Sequence, residues 1–292
     1  MKRTFVAALL VVSAVSTTAQ AFDADGQGFD GGDDNGEERE LKRDSQRNAL
    51  TQQMNSDRGV SWYKDFFIAP FTYTEDYHGR ESEVVFQISF KAKLLNTPLY
   101  FGYTQQSYWQ AYNSDESAPF RESNYAPEFF WRFAPGEWWL DNIGLDLGLE
   151  HQSNGQSPEF SRSWNRLYAG LFHHDERQSF YGRIWYRLPE DEKKSPDDVK
   201  GDDNPDITDY LGYGELIWRY CLDKEACYNL ITTKLRGNLN TGKGSVEVSW
   251  MFPTLSENTS WYVFVFNGYG ESLIDYNDST TRIGLGVILR PR

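Results

Sequence analysis

The chain is short of nearly everything that simple functional classes need. Only one stretch approaches a long apolar run, Phe5 to Val15, and nothing after it reaches the 18 or more apolar residues of a spanning helix. There are two cysteines and four histidines in 292 residues. That is too few at any useful spacing for a structural zinc site. Positive charge is scarce as well. Lys and Arg number 29 against 43 Asp and Glu, for a net charge of −14, so nothing neutralises phosphates in quantity and a nucleic-acid partner is excluded. No internal repeat is present, and no twelve-residue EF-hand spacing marks the acidic segments.

What the chain does have is aromatic residues, 16% of the total including 10 Trp and 18 Tyr, in a sequence whose mean hydropathy is only −0.66. An alternating barrel gives that combination because half of every strand is polar and hydropathy averages out. So does a soluble, tryptophan-rich carbohydrate binder, and composition does not choose between them.

The N-terminus is more decisive. Lys2 and Arg3, the apolar run, and Ala19-Gln20-Ala21 form the three-part pattern of a secretory signal, with cleavage expected after Ala21. Residues 22–59 are rich in Gly, Asp and Glu with almost no aliphatics before Leu41, and are expected to be a disordered, solvated leader. Residues 60–292 make the single folded domain. If an exported chain without a spanning helix enters a membrane, it must span as a barrel. Export also permits a disulfide between Cys221 and Cys227, which have five residues between them in a predicted turn, although two unlinked thiols fit the sequence too.

From Trp62 onward aromatic-rich segments alternate with turn residues. The pattern predicts strands at 66–74, 84–94, 99–112, 125–133, 143–152, 163–172, 180–188, 208–220, 228–239, 245–252, 261–269 and 282–290. Many have the nine to eleven residues that a tilted strand needs to cross a bilayer. The connections alternate short and long, as the turns and external loops of outer-membrane barrels do. The expected fold is therefore all-β, a twelve-stranded antiparallel transmembrane barrel. Trp109, Trp138, Trp139, Trp164 and Trp261 fall near predicted strand ends, where aromatic girdles belong.

One segment stands apart: H-Q-S-N-G-Q-S-P-E-F-S-R-S-W-N-R, His151 to Arg166. A period of two carried forward from Ile143 puts Leu145, Leu147, Leu149, His151 and Ser153 on one face, with Asp146 and Glu150 on the other. Beyond the loop, Asn165, Leu167, Ala169 and Leu171 share a face. A serine becomes a nucleophile when a base takes its proton, and the base needs a third group to orient it. Ser153, His151 and Asn165 suit those three roles. The first two start about 7 Å apart on one strand face. A polar trio at a strand end is common loop decoration, and by itself it decides little.

The wider segment carries more. H-x-S-N-G followed by S-R-S-W-N-R resembles the signature of the outer-membrane phospholipase A family. Thr104–Gln110, Ala118–Tyr125, D-D-N-P-D-I-T (Asp202–Thr208), N-T-G (Asn240–Gly242) and G-Y-G-E-S-L-I-D-Y-N (Gly268–Asn277) look like further family blocks. The resemblance implies a calcium-dependent outer-membrane enzyme that hydrolyses the sn-1 and sn-2 acyl esters of phospholipids and lysophospholipids. It implies Ser153 as nucleophile, His151 as base and Asn165 as the group orienting that base. It further implies activity as a homodimer, with calcium at the interface held by the Ser161 hydroxyl and the Gln156 carbonyl of one chain and the Ser117 carbonyl of the other. Gln105 matches a dimer-contact glutamine. Gln152 and Gln156 depart from the family's usual residues, and a main-chain carbonyl ligand at 156 survives a change of side chain. Two other classes compete, a non-catalytic barrel or porin and a secreted β-sandwich esterase that buries the same apolar stripe.

Overall fold

In the computed structural model the described residues are 59–75, 81–95, 97–195, 198–223, 227–256 and 258–290. The signal sequence and nearly all of the acidic leader lie outside them. Chain order gives β1 (Val60–Trp62), β2 (Phe67–Thr74), β3 (Val84–Lys93), β4 (Leu99–Trp109), β5 (Phe120–Phe133), β6 (Gly144–Ser153) and β7 (Ser163–His174). Then follow β8 (Gln178–Arg187), helix α1 (Ile207–Leu211), β9 (Gly214–Cys221), β10 (Leu230–Asn238), β11 (Lys243–Pro253), β12 (Thr259–Tyr269) and β13 (Ser279–Leu289).

All pairings in the sheet are antiparallel, each strand from β3 onward pairing with its successor. The sheet closes where β13 pairs with β2, Ile288 facing Phe67 and Arg282 facing Thr74. β1 and β2 lie along the same edge of β3, with Trp62 opposite Phe90 and Phe67 opposite Gln87, so they are two pieces of one barrel strand. The break between them is covered from β3. The Lys64 N–H donates to Ser89 Oγ at 3.1 Å, and Gln87 Nε2 donates to the Asp65 carbonyl at 2.6 Å. The result is the expected closed, twelve-stranded antiparallel barrel. At the closing seam the register shifts between Leu285 and Val287. A Cβ on Gly286 would lie 2.0 Å from the Ile68 carbonyl oxygen, so only glycine lets the two backbones meet there.

The burial pattern inverts that of a soluble barrel. Leu147, Leu149, Leu167, Leu171, Ile184, Val248, Val265, Ile283 and Leu285 all point outward and are exposed. Their neighbours along the chain, Asp146, Glu150, Arg166, Arg183 and Arg282, are buried in the lumen. These charges are paired. Arg132 makes a two-pronged contact with Asp146 at 2.7 Å on each side, and Glu150 is flanked by Arg166 at 2.9 Å and Arg183 at 2.8 Å. Glu128 accepts from Tyr168 Oη at 2.6 Å and from Lys64 Nζ at 3.2 Å. Such a surface excludes the soluble β-sandwich, since a stripe of this kind needs hydrocarbon against it.

Two sequence expectations change. The predicted strand 208–220 begins instead as α1, with the strand proper starting at Gly214. Ile207 and Leu211, four apart and hence on one helical face, are buried with Trp164, Trp185, Leu273 and Tyr276 at one end of the lumen. Trp164 is fully buried and points inward, so it is no girdle residue, whereas Trp261 and Trp139 are exposed. The two cysteines form a disulfide across the turn from β9 to β10, with Cα atoms 4.9 Å apart.

Parity makes adjacent substitutions on β6 costly for different reasons. Leu147→Arg puts a charge into hydrocarbon and is expected to cost about 2–4 kcal/mol near the midplane. Asp146→Ala strands the Arg132 charge in the lumen and is expected to cost about 3–5 kcal/mol. Urea unfolding of the protein in lipid vesicles measures both, and a neutral Leu147→Arg would mean that this face does not meet lipid.

Candidate active site

The site is built where β6 and β7 end together. The register pairs His151 with Asn165, Gln152 with Trp164 and Ser153 with Ser163. His151, Ser153 and Asn165 therefore share the outward face with Leu149 and Leu167, all continuing one apolar stripe. His151 Nδ1 and Asn165 Oδ1 are 2.9 Å apart. An amide oxygen can only accept, so Nδ1 carries the proton and Nε2 is left with a lone pair, the tautomer a general base requires. Ser153 stands two residues along the same face, and among the described residues no hydrogen bond joins its hydroxyl to the imidazole.

Residues of opposite parity hold this pair from inside the barrel. Gln152 Oε1 accepts from Trp164 Nε1 at 2.9 Å and from Arg166 Nη2 at 3.1 Å. The glutamine between His151 and Ser153 thereby ties their strand to the lumen network, well away from the site.

The loop after Ser153 is organised by Asn154, which is 3% exposed. Its Oδ1 accepts from the Arg162 N–H at 2.9 Å and the Gln156 N–H at 3.4 Å. Its Nδ2 donates to the Phe160 carbonyl at 2.9 Å and to Glu122 Oε2 at 3.4 Å. Between them Gly155 adopts φ +63°, a left-handed turn beside the Tyr125 ring, and Tyr125 itself pairs with Ser153 across β5 and β6. The same connection carries Gln156 and Ser161. Ser161 Oγ donates to Asp203 Oδ2 at 2.7 Å, which leaves its lone pairs for a cation. Asp203 is in turn ion-paired with Lys193, and Lys193 Nζ donates to the Pro158 carbonyl at 3.2 Å.

Ser117 lies on a separate loop, between β4 and β5, exposed and in a left-handed conformation at φ 59°, ψ 32°. Gln156 and Ser161 thus lie on one loop and Ser117 on another. Among the described residues no group of three or more His, Cys, Asp or Glu side chains is placed to hold a metal. Serine and main-chain oxygens are hard neutral donors, and with Asp203 beside Ser161 they suit calcium better than a transition metal. Gln105 also faces outward, accepting from Tyr103 Oη at 3.0 Å and donating to Ser107 Oγ at 3.1 Å.

Several groups around the site escaped the sequence reading. Asp203, part of the D-D-N-P-D-I-T block, holds Ser161. Glu190, beyond β8, accepts from Asn165 Nδ2 at 3.0 Å. Tyr276, on the loop before β13, donates to Asp206. Burial, and then this bonded carboxylate, push the Tyr276 phenol above its usual range, so it remains a donor.

Asn154→Ala removes the three side-chain bonds by which Asn154 closes the 154–162 segment. The expected outcome is faster proteolytic nicking within 155–161 from a barrel that keeps its folded gel mobility. Unchanged nicking would mean that the segment is held by Ser161 and Lys193 alone.

The phospholipase A1 family profile matches residues 41–289 of this chain. The phospholipase A1 of Salmonella typhimurium is 40% identical over 228 residues, which cover 75% of this chain and 73% of that protein. The outer membrane phospholipase of Salmonella typhi, solved as a dimer with bound calcium, superimposes with a TM-score of 0.71 at 33% identity, covering 84% of this chain and 98% of that one. Outer membrane phospholipase A from Escherichia coli, solved with an active-site asparagine changed to alanine, gives a TM-score of 0.70 at 33% identity with the same coverage. By its sequence over most of its length, and by its barrel, the chain belongs to the phospholipase A1 family.

Proposed function

We propose that this outer-membrane barrel is a calcium-dependent phospholipase. It would cleave the sn-1 and sn-2 acyl esters of glycerophospholipids and lysophospholipids through Ser153, His151 and Asn165. The observation that carries the proposal is the His151–Asn165 hydrogen bond at 2.9 Å, made on the lipid-facing side of the sheet with Ser153 on the same face. Acyl chains can lie along the outward leucines while the ester meets the polar end of the stripe. The substrate then reaches the nucleophile without leaving the membrane. His151 Nε2 takes the Ser153 proton as Oγ attacks the acyl carbonyl, and Asn165 Oδ1 holds the imidazole and stabilises its protonated form. The same imidazole then protonates the leaving alkoxide, and water releases the fatty acid in the second half of the cycle. Calcium held by Ser161 Oγ and the Gln156 carbonyl, with the Ser117 carbonyl of a second copy, would supply positive charge where the oxyanion develops.

The decisive measurement is fatty-acid release from phosphatidylcholine micelles. Ser153→Ala is expected to lose on the order of 10³-fold or more in kcat with the barrel folded, and chelation of calcium should silence the wild type. A fully active Ser153→Ala variant would remove the serine mechanism. The shared metal site makes a separate demand on assembly. A covalently enforced monomer is expected to be inactive with calcium present, and full activity there would exclude a ligand donated by a second copy.

A further inference from the structure

Asn165 has two hydrogen-bonding ends, and the imidazole uses one of them. Its Oδ1 meets His151 Nδ1, while its Nδ2 donates to Glu190 Oε1 at 3.0 Å. We infer that Glu190 is a positioning residue for the His151–Asn165 pair, one that fixes which end of the Asn165 amide faces the histidine. The inference rests on the serine–histidine–asparagine reading above.

The two ends of an asparagine amide are close in size, and sterics alone hardly distinguish them. Their consequences for the histidine are opposite. With Nδ2 turned to the imidazole, Nδ1 would have to accept, the proton would move to Nε2, and no base would face Ser153. An ionised carboxylate only accepts, so Glu190 can bond only the NH2 end. It thereby commits Oδ1 to His151 and the imidazole to the tautomer with Nε2 free. It also places a negative charge behind the amide, of the sign that favours the imidazolium formed during the reaction.

The placement of Glu190 is determined by backbone geometry. The Leu188 N–H donates to the Asn165 carbonyl at 2.8 Å, one step beyond the Arg166–Arg187 register pair. Pro189, with no N–H, ends that ladder, and Glu190 follows. The rest of the loop is braced. Arg187 Nη2 pairs with Asp202 at 2.5 Å, and the Asp202 N–H donates to the Asp191 carbonyl at 2.7 Å. Glu190 is half-buried on a fixed segment rather than waving in solvent.

The test uses the full chain in detergent with calcium and phosphatidylcholine micelles, with folding checked by gel mobility. Glu190→Ala is expected to lower kcat about 10-fold with KM within about twofold of wild type. Glu190→Gln keeps an acceptor and should lose less, about threefold. Asn165→Asp sets two carboxylates against each other and should be poorly active. Adding Glu190→Gln then supplies a donor, and the double variant should recover at least about 10-fold over Asn165→Asp alone. A loop that merely needed Glu190 for its shape would show no such rescue. Wild-type kcat in Glu190→Ala, wild-type activity in Asn165→Asp, or a double variant no better than Asn165→Asp would each overturn the inference. Activity surviving in Ser153→Ala would instead bring down the reading beneath it, whatever Glu190 does.

Discussion

Inside a bilayer no water is available for the peptide group, so every N–H and C=O at that depth must find a partner within the protein. That requirement forces the sheet to close, and in this chain closure is made by β13 against β2, with Gly286 permitting the tightest approach. Once the sheet is closed, a period of two sends each residue either to lipid or to the lumen. A slip of one residue on β6 would drive Glu150 into hydrocarbon and His151 into the lumen charge network. Fold and site are therefore specified by one alternation. The leucines that hold β6 and β7 in register with the membrane also put Ser153, His151 and Asn165 on its side of the sheet.

The lumen contributes differently. Its ion pairs pay heavy desolvation, and their attraction to one another does little more than offset it. What they provide is a single arrangement, since these carboxylates are matched to particular cationic side chains. Arg132 takes Asp146, while Arg166 and Arg183 share Glu150. That fixed interior reaches outward at two points. Gln152 ties β6 to Trp164 and Arg166, and Glu122 meets Asn154, which folds the loop that carries Gln156 and Ser161. A site exposed to fluid lipid on one side is thus positioned by a packed, charged core on the other.

Alternation made most of this legible from the residues. The leucine stripes of β6 and β7 are strict, and they alone predict the parity of His151, Ser153 and Asn165. Five residues of helix from Ile207 are too few to show a 3.6-residue period, and they sit before a strand that does show its own, so they read as part of it. Trp164 could have been assigned correctly, because the alternation that turns Asn165 outward turns its neighbour inward; proximity to a strand end was the weaker signal. Asn154, Asp203 and Glu190 left no trace of their roles. A charged or amide residue in a loop looks the same whether it faces water or holds a neighbour, and only the fold distinguishes the two.

The neutral third member of the site follows from where it stands. Position 165 lies on the same outward face as Leu167 and Leu171, at the edge of hydrocarbon. An ionised carboxylate there would lose much of its hydration, raising its own proton affinity until it ceased to help the imidazole. An amide carries no such penalty, yet it stabilises imidazolium less and has no built-in preference between its two ends. In the role proposed for it, Glu190 would resolve both problems from one step further out, on the loop beyond Leu188, where its charge keeps access to water. In the proposed mechanism, splitting the orienting group into an amide at the lipid boundary and a carboxylate on the aqueous side would let serine hydrolase chemistry operate on the outer wall of a barrel.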